Sequence, residues 1–219
     1  MLTPVIIYED NHLLIVQKPP GFLAQPDGSG RPDLSGWAGE YLARNKPGRA
    51  YVGLTHRLDR AVGGVVAMAK TSKCAARLSA QFRERTVKKI YLALTAGRPE
   101  AESGRLEGQL FRDGTVTRAA RPGEKGTRAA LNWLVRKSYD DFTLLEIELE
   151  TGFKHQIRAQ LAAAGLPVVG DLKYGGGRGE GPGIGLWAES LTLEHPTRKE
   201  IVKFEARPAG LWPWSLILD

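Results

Sequence analysis

The sequence is short of sulfur, of histidine and of long apolar runs. Its 219 residues include one cysteine, Cys74, and two methionines. A single thiol excludes an internal disulfide framework and a multi-cysteine zinc site, and it fits a reducing compartment. Cys74 falls in a helical pattern, where a packing role outweighs a nucleophilic one. The four histidines, His12, His56, His155 and His195, are widely separated, and none has the helical offset of a paired zinc ligand. A His/Asp/Glu site assembled from distant segments stays open. No G-x-S-x-G elbow, P-loop or dinucleotide fingerprint occurs, and "GGGRGEGPG" follows no strand-to-helix pattern. No apolar run approaches the roughly 20 residues of a membrane span. The start lacks a basic segment followed by a long apolar one, so a cytoplasmic location is expected.

What is present suits an ordinary globular chain. Apolar residues make up 42% and charged residues 25%, on a length comfortable for one domain, spanning 1–219, of one or two compact lobes. The net charge of +7 favours a polyanionic partner, nucleic acid above all. The cations gather in two places. Lys70, Lys73, Arg77, Arg83, Arg85, Lys88 and Lys89 face one acid, Glu84. Arg118, Arg121, Lys125 and Arg128 form the second group. Such groups neutralise phosphates without reading sequence. The competing reading is a solvated, ion-paired surface.

Residues 5–16 read as strand, turn and strand, stopped by Pro19-Pro20-Gly21, and 22–32 as loop. Leu34 to Asn45 carries Leu34, Ala38, Tyr41 and Leu42 on one helical stripe, followed by a basic loop, 45–50. Val65 to Ala69 reads as a buried strand. Thr71-Ser72 caps a helix ending near Arg85, with Ala75, Leu78 and Phe82 inward. A strand closes at Gly97, and short alternating strands with Asp-Gly and Glu-Lys-Gly turns run to Leu149. Thr151 to Ala164 reads as a helix with Gly165 as its cap. A glycine-rich loop, two strands and an apolar tail complete the chain. The pattern predicts an α+β fold with a mixed, largely antiparallel sheet flanked by helices and loops.

The sharpest stretch is "THRLDRAVGGVVAMAK", which sets Asp59 between Arg57 and Arg60 at the entrance to an apolar strand. A carboxylate beside arginines favours its ionised form and is able to act as nucleophile or base. A structural ion pair is the alternative reading.

Five ordered segments resemble the RluA-type RNA pseudouridine synthases. They are "VQKPPGFLAQP", "HRLDRAVGGVVAMAK", "KKIYLALTAG", "TGFKHQIRAQLAAAGLPVVGDLKYGG" and "LWAESLTLEHP", together covering about residues 13 to 205. Three departures stand out. Val62-Gly63-Gly64 replaces Thr-Ser-Gly, Phe153 replaces an arginine, and Trp187 replaces a histidine. The resemblance implies the pseudouridine synthase fold and a catalytic domain with no N-terminal RNA-binding domain of the S4 type. It implies isomerisation of uridine in ribosomal or transfer RNA without a cofactor or metal, by a chain expected to be a monomer. It makes Asp59 the catalytic carboxylate, Tyr91 the platform for a flipped base and Arg158 the cation that pairs with Asp59. It makes Arg57, His56, Lys18 and Lys89 substrate-binding positions, Lys18 having a structural reading as well, while His155 and Gln156 organise a helix start. A non-catalytic RNA-binding module on this fold and a metal-dependent hydrolase using His56, Asp59 and His155 are the alternatives.

Overall fold

The computed structural model describes residues 3–44, 50–177, 179–208, 210 and 212–217. The basic loop expected at 45–50 lies, apart from Ala50, outside the described residues, as does Arg178 of the glycine-rich loop. In chain order the elements are β1 (Val5–Glu9), β2 (Leu13–Lys18), α1 (Leu34–Ala43), β3 (Gly53–Leu54), β4 (Gly63–Ala69), α2 (Ser72–Glu84), β5 (Lys88–Ala96), β6 (Ser103–Asp113) and β7 (Val116–Ala119). They continue with β8 (Thr127–Ser138), β9 (Phe142–Leu149), α3 (Gln156–Ala163), β10 (Leu186–Glu194) and β11 (Ile201–Glu205), with 3-10 turns at Leu172–Tyr174 and Trp214–Leu216. This is the expected α+β fold. The chain divides into two compact units, Met1–Lys88 with Ala188–Arg207, and Lys89–Trp187 with Pro208–Asp219.

In the first unit the strand order is β1-β2-β4-β10, with β3 also on β4 and β11 on β10. β2 and β4 pair antiparallel from Leu13↔Ala69 to Lys18↔Gly64. Leu13 to Val16 and every residue of β4 are buried. Their unbroken apolar runs are what burial on both faces requires. Gly64 is fixed by space as well as by backbone. Its φ is +122°, and a Cβ there would stand 2.1 Å from the Ala188 carbonyl oxygen. The glycine of the family motif is therefore retained where β4 meets β10, and the departures fall on the buried Val62 and Gly63. α2 begins as expected, the Thr71 side chain accepting from the Cys74 N–H, and ends at Arg85 in the left-handed region. Cys74 and Leu78 are its buried residues. Burial pushes the Cys74 thiol up to about 11, which makes it inert packing.

In the second unit the strands run β5-β9-β8-β6-β7, and their pairings are antiparallel. β9 alternates half-buried and buried residues along its whole length, the pattern of a sheet with one covered face. The helix expected from Thr151 begins only at Gln156. Side-chain chemistry delays it. The Thr151 hydroxyl donates to Gln156 Oε1 at 2.8 Å, and Phe153 N–H donates to the same oxygen at 3.0 Å. His155, at φ 55°, then turns the chain into α3. Gln156 thus organises the helix start as expected. Gly165, at φ 75°, follows the helix end.

Half of the second basic group is ion-paired surface, Arg118 and Arg128, while Arg121 and Lys125 are exposed. Arg118 is held by both oxygens of Glu124 at 2.7 and 2.9 Å and by Asp113 at 3.1 Å. Arg128 meets Glu107 at 2.6 Å. In the first group Lys70 is bound to Glu9 at 2.6 Å and Arg77 to the Pro196 carbonyl at 2.7 Å. Lys73, Arg83, Arg85 and Lys88 are exposed.

Candidate active site

Four of the residues singled out in the sequence come together in the first unit, around the turn that carries Asp59. The Asp59 carbonyl accepts the Val62 N–H at 3.0 Å, which closes the turn one residue before β4. His56 braces the approach. Its Nε2 accepts the Ala67 N–H of β4 at 2.9 Å, and its ring stacks on Phe82 of α2, centroids 4.6 Å apart. An Nε2 that accepts leaves the proton on Nδ1. His56 therefore holds the "HRLD" segment onto strand and helix. Arg57 is exposed and reaches Gln25 at 3.4 Å.

Lys18 lies beneath this turn, with no exposed surface. Its Nζ donates to three carbonyls, Pro19 at 3.1 Å, Phe22 at 2.9 Å and Arg60 at 3.3 Å. Gly21 N–H also donates to the Arg60 carbonyl, at 2.8 Å. The lysine thereby ties the loop after β2 to the residue that follows Asp59. Burial pulls its ammonium down to about 7; Asp59 works against that shift and Arg60 with it.

The other three lie in the second unit. Tyr91 stands on β5 opposite Ile147 and is half-buried. Lys89, two residues earlier on the same strand, places its Nζ 3.4 Å from the Thr151 carbonyl. Arg158, on α3, is 7% exposed. Its Nε and Nη2 meet the two oxygens of Asp171 at 2.5 and 2.8 Å, a bidentate pair of the strong, orienting kind. The guanidinium also lies over the Tyr174 ring at 4.9 Å. Tyr174 is itself fixed, since its hydroxyl accepts the Thr117 N–H at 2.8 Å and meets His155 Nδ1 at 2.9 Å.

Asp171 and Tyr174 were not singled out in the sequence. The available signal was "GDLKYGG", whose acid and aromatic lie within four residues of each other on a glycine-bounded turn. The hydrolase reading is not favoured. His56 Nε2 serves Ala67, and His155 Nδ1 serves Tyr174. Among the described residues no three His, Cys, Asp or Glu side chains gather as a metal site needs.

The turn that carries Asp59 lies in the first unit and the clamped Arg158 in the second, in the order the sequence motifs give. The family model for RNA pseudouridylate synthase matches residues 12–163. The chain belongs to that family, whose members are isomerases acting on RNA. It is 32% identical over 203 residues to the RNA pseudouridine synthase YhcT of Bacillus subtilis, covering 92% of this chain and 67% of that protein. It is 32% identical over 212 residues to the ribosomal large subunit pseudouridine synthase C of Vibrio parahaemolyticus, covering 94% of this chain and 66% of the other. The chain thus spans about two thirds of the length of these curated relatives. In fold it is similar to human RNA pseudouridylate synthase domain containing 4, with a TM-score of 0.77 and 22% identity over 93% of this chain and 88% of that one. Among the described residues no helix is long and apolar enough to cross a membrane.

Proposed function

We propose that the chain is one catalytic domain, active as a cytoplasmic monomer without a cofactor, that converts specific uridines of ribosomal or transfer RNA to pseudouridine. The observation that carries this reading is the family match over 12–163, which includes Asp59, Tyr91 and Arg158 in motif order. The reaction breaks the N1–C1′ bond, turns the uracil and joins C5 to C1′; N1 takes up a proton and the hydrogen on C5 is lost to solvent. Redox balance is unchanged, so no external oxidant or reductant is needed. Asp59 acts on C1′, on C6 or on a ribose proton, and each route starts from the ionised carboxylate. Arg158 supplies the matching positive charge, a pairing that rests on the family resemblance. Tyr91 offers its face to a base taken out of the RNA stack. Arg57 and the exposed cations of α2 bind phosphate, and Lys89 contributes charge beside Tyr91.

The deciding experiment is Asp59→Asn. The variant folds, binds RNA with unchanged affinity and forms no pseudouridine, as read by release of tritium from uridine labelled at C5. Full tritium release from this variant would sink the mechanism. Mapping pseudouridines in RNA from a strain lacking the gene, against its parent, identifies the target.

A further inference from the structure

We propose that Trp212 is a positioning residue that keeps Arg158 aimed, acting through the turn that carries Asp171. The inference rests on the reading above that Arg158 serves the catalytic carboxylate.

Arg158 is a long side chain whose orientation depends on its partner. Asp171, 1% exposed, supplies that orientation by placing one oxygen on Nε and the other on Nη2. A planar fork held at two points loses an arm when the carboxylate rotates. The backbone that carries Asp171 therefore has to be stiff. Several bonds make it so. Asp171 N–H donates to the Val168 carbonyl at 3.0 Å, and the Asp171 carbonyl accepts from Tyr174 at 3.0 Å and Gly176 at 2.9 Å. Gly170 N–H donates to the Gly176 carbonyl at 2.8 Å, with Gly170 at φ +79°.

The glycine at 170 is the weak point of this turn, because it has no side chain to pack. Trp212 fills that space. A Cβ on Gly170 would stand 2.4 Å from Trp212 Cη2, and one on Gly179 would stand 2.5 Å from Cζ3. One indole edge thus occupies the room that two side chains would otherwise take, on both arms of the glycine-rich loop. The segment that delivers it is anchored separately. Trp214, two residues on, is 2% exposed and meets Trp187 edge to face, centroids 6.4 Å apart at 75°. Trp187 is one of the positions where this sequence departs from its family pattern. One tryptophan holds the tail down, and the other braces the Asp171 turn.

The test compares Trp212→Ala, Trp212→Phe and Gly179→Ala with wild type, with Arg158→Met as control. The substrate is total RNA, tritiated at uridine C5, from a strain deleted for the gene. Trp212→Ala should lower kcat by about ten- to a hundredfold, the range that a misaimed catalytic group produces, with apparent KM unchanged. Trp212→Phe, which restores an aromatic edge, should recover most of the loss. Gly179→Ala, which pushes the indole away, should reproduce it. Unchanged kcat in Gly179→Ala or Trp212→Ala overturns the proposal, as does a loss confined to KM or one that phenylalanine does not relieve. If Trp212→Ala fails to fold, Gly179→Ala and Trp212→Phe decide. An inactive Arg158→Met beside a fully active Trp212→Ala refutes this inference alone. An active Arg158→Met refutes the reading on which it stands.

Discussion

At the scale of single residues, Lys18 separates what the sequence shows from what it hides. Its motif, Lys-Pro-Pro-Gly, was legible, and a structural role stood beside a substrate-binding one. Its three carbonyl partners belong to two loops more than forty residues apart in places, and pattern reading does not supply them. Lys18→Met takes the lysine donor from the Pro19 and Phe22 carbonyls, leaving Arg60 only the Gly21 N–H, and should cost about 1–3 kcal/mol of stability. The pH dependence has a definite sign. The folded-state value, about 7, lies below the ordinary 10.5. Between those values the unfolded chain binds the proton and the folded chain does not, so stability rises with pH across this window. Below about 7 the folded chain bears the whole cost of a buried ammonium. The stability gap between wild type and Lys18→Met should therefore widen from pH 7 to 9, as read by urea unfolding at each pH. A constant gap would show that Lys18 holds its ordinary value. Arg158 and Asp59 were likewise legible as residue types in a motif. The Asp171 clamp was not, because neither periodicity nor charge pattern tells which carboxylate a given arginine meets.

Elements tell a similar story through their ends. Strand and helix existence followed from the alternation in β9 and the apolar runs of β2 and β4. The start of α3 did not, because a glutamine side chain takes two local donors before the helix begins. The β1–β2 turn shows how such an end is held. Asp10 accepts from His12 and Leu13 N–H, both at 2.7 Å, and from Tyr8 at 3.0 Å. It also meets the fully buried His195 at 2.9 Å. Burial pushes its carboxyl up, but the backbone N–H groups of Leu13 and His12, with Tyr8 and His195, outweigh that and bring it down to about 2. The stabilisation is complete above the ordinary value of 3.8 and is lost as pH falls toward about 2. Asp10→Asn should be less stable than wild type at pH 6, with the difference shrinking through acid titration. A difference that persists undiminished at pH 2 contradicts this. At the β4–β10 junction Gly64→Ala should cost about 3 kcal/mol or more, measured by thermal unfolding, since both φ and the Ala188 carbonyl oppose a methyl group there.

For the whole molecule, charge is the property that sequence reading overstated in detail while placing it correctly in kind. The net charge of +7 suits an RNA partner, yet Arg118 and Arg128 are spent on Glu124, Asp113 and Glu107. Counterion release should therefore depend on the exposed cations, such as Lys73 and Arg83, more than on Arg118 and Arg128. A Lys73→Ala/Arg83→Ala double variant should lower the slope of log K against log salt by roughly 1.4–1.8, two phosphate contacts' worth. Arg118→Ala should change it far less. Equal effects from both would return Arg118 to the RNA-binding surface. A different use of the molecule follows from Cys74. It is the chain's only thiol, 1% exposed on α2, the helix against which His56 stacks. A thiol reagent meets that sulfur only when α2 detaches or the whole domain unfolds, so modification rate is a clock for local opening. Followed against denaturant, a shallow dependence reports fraying of the helix that braces the Asp59 turn through His56. A steep one reports that the turn lasts as long as the fold itself.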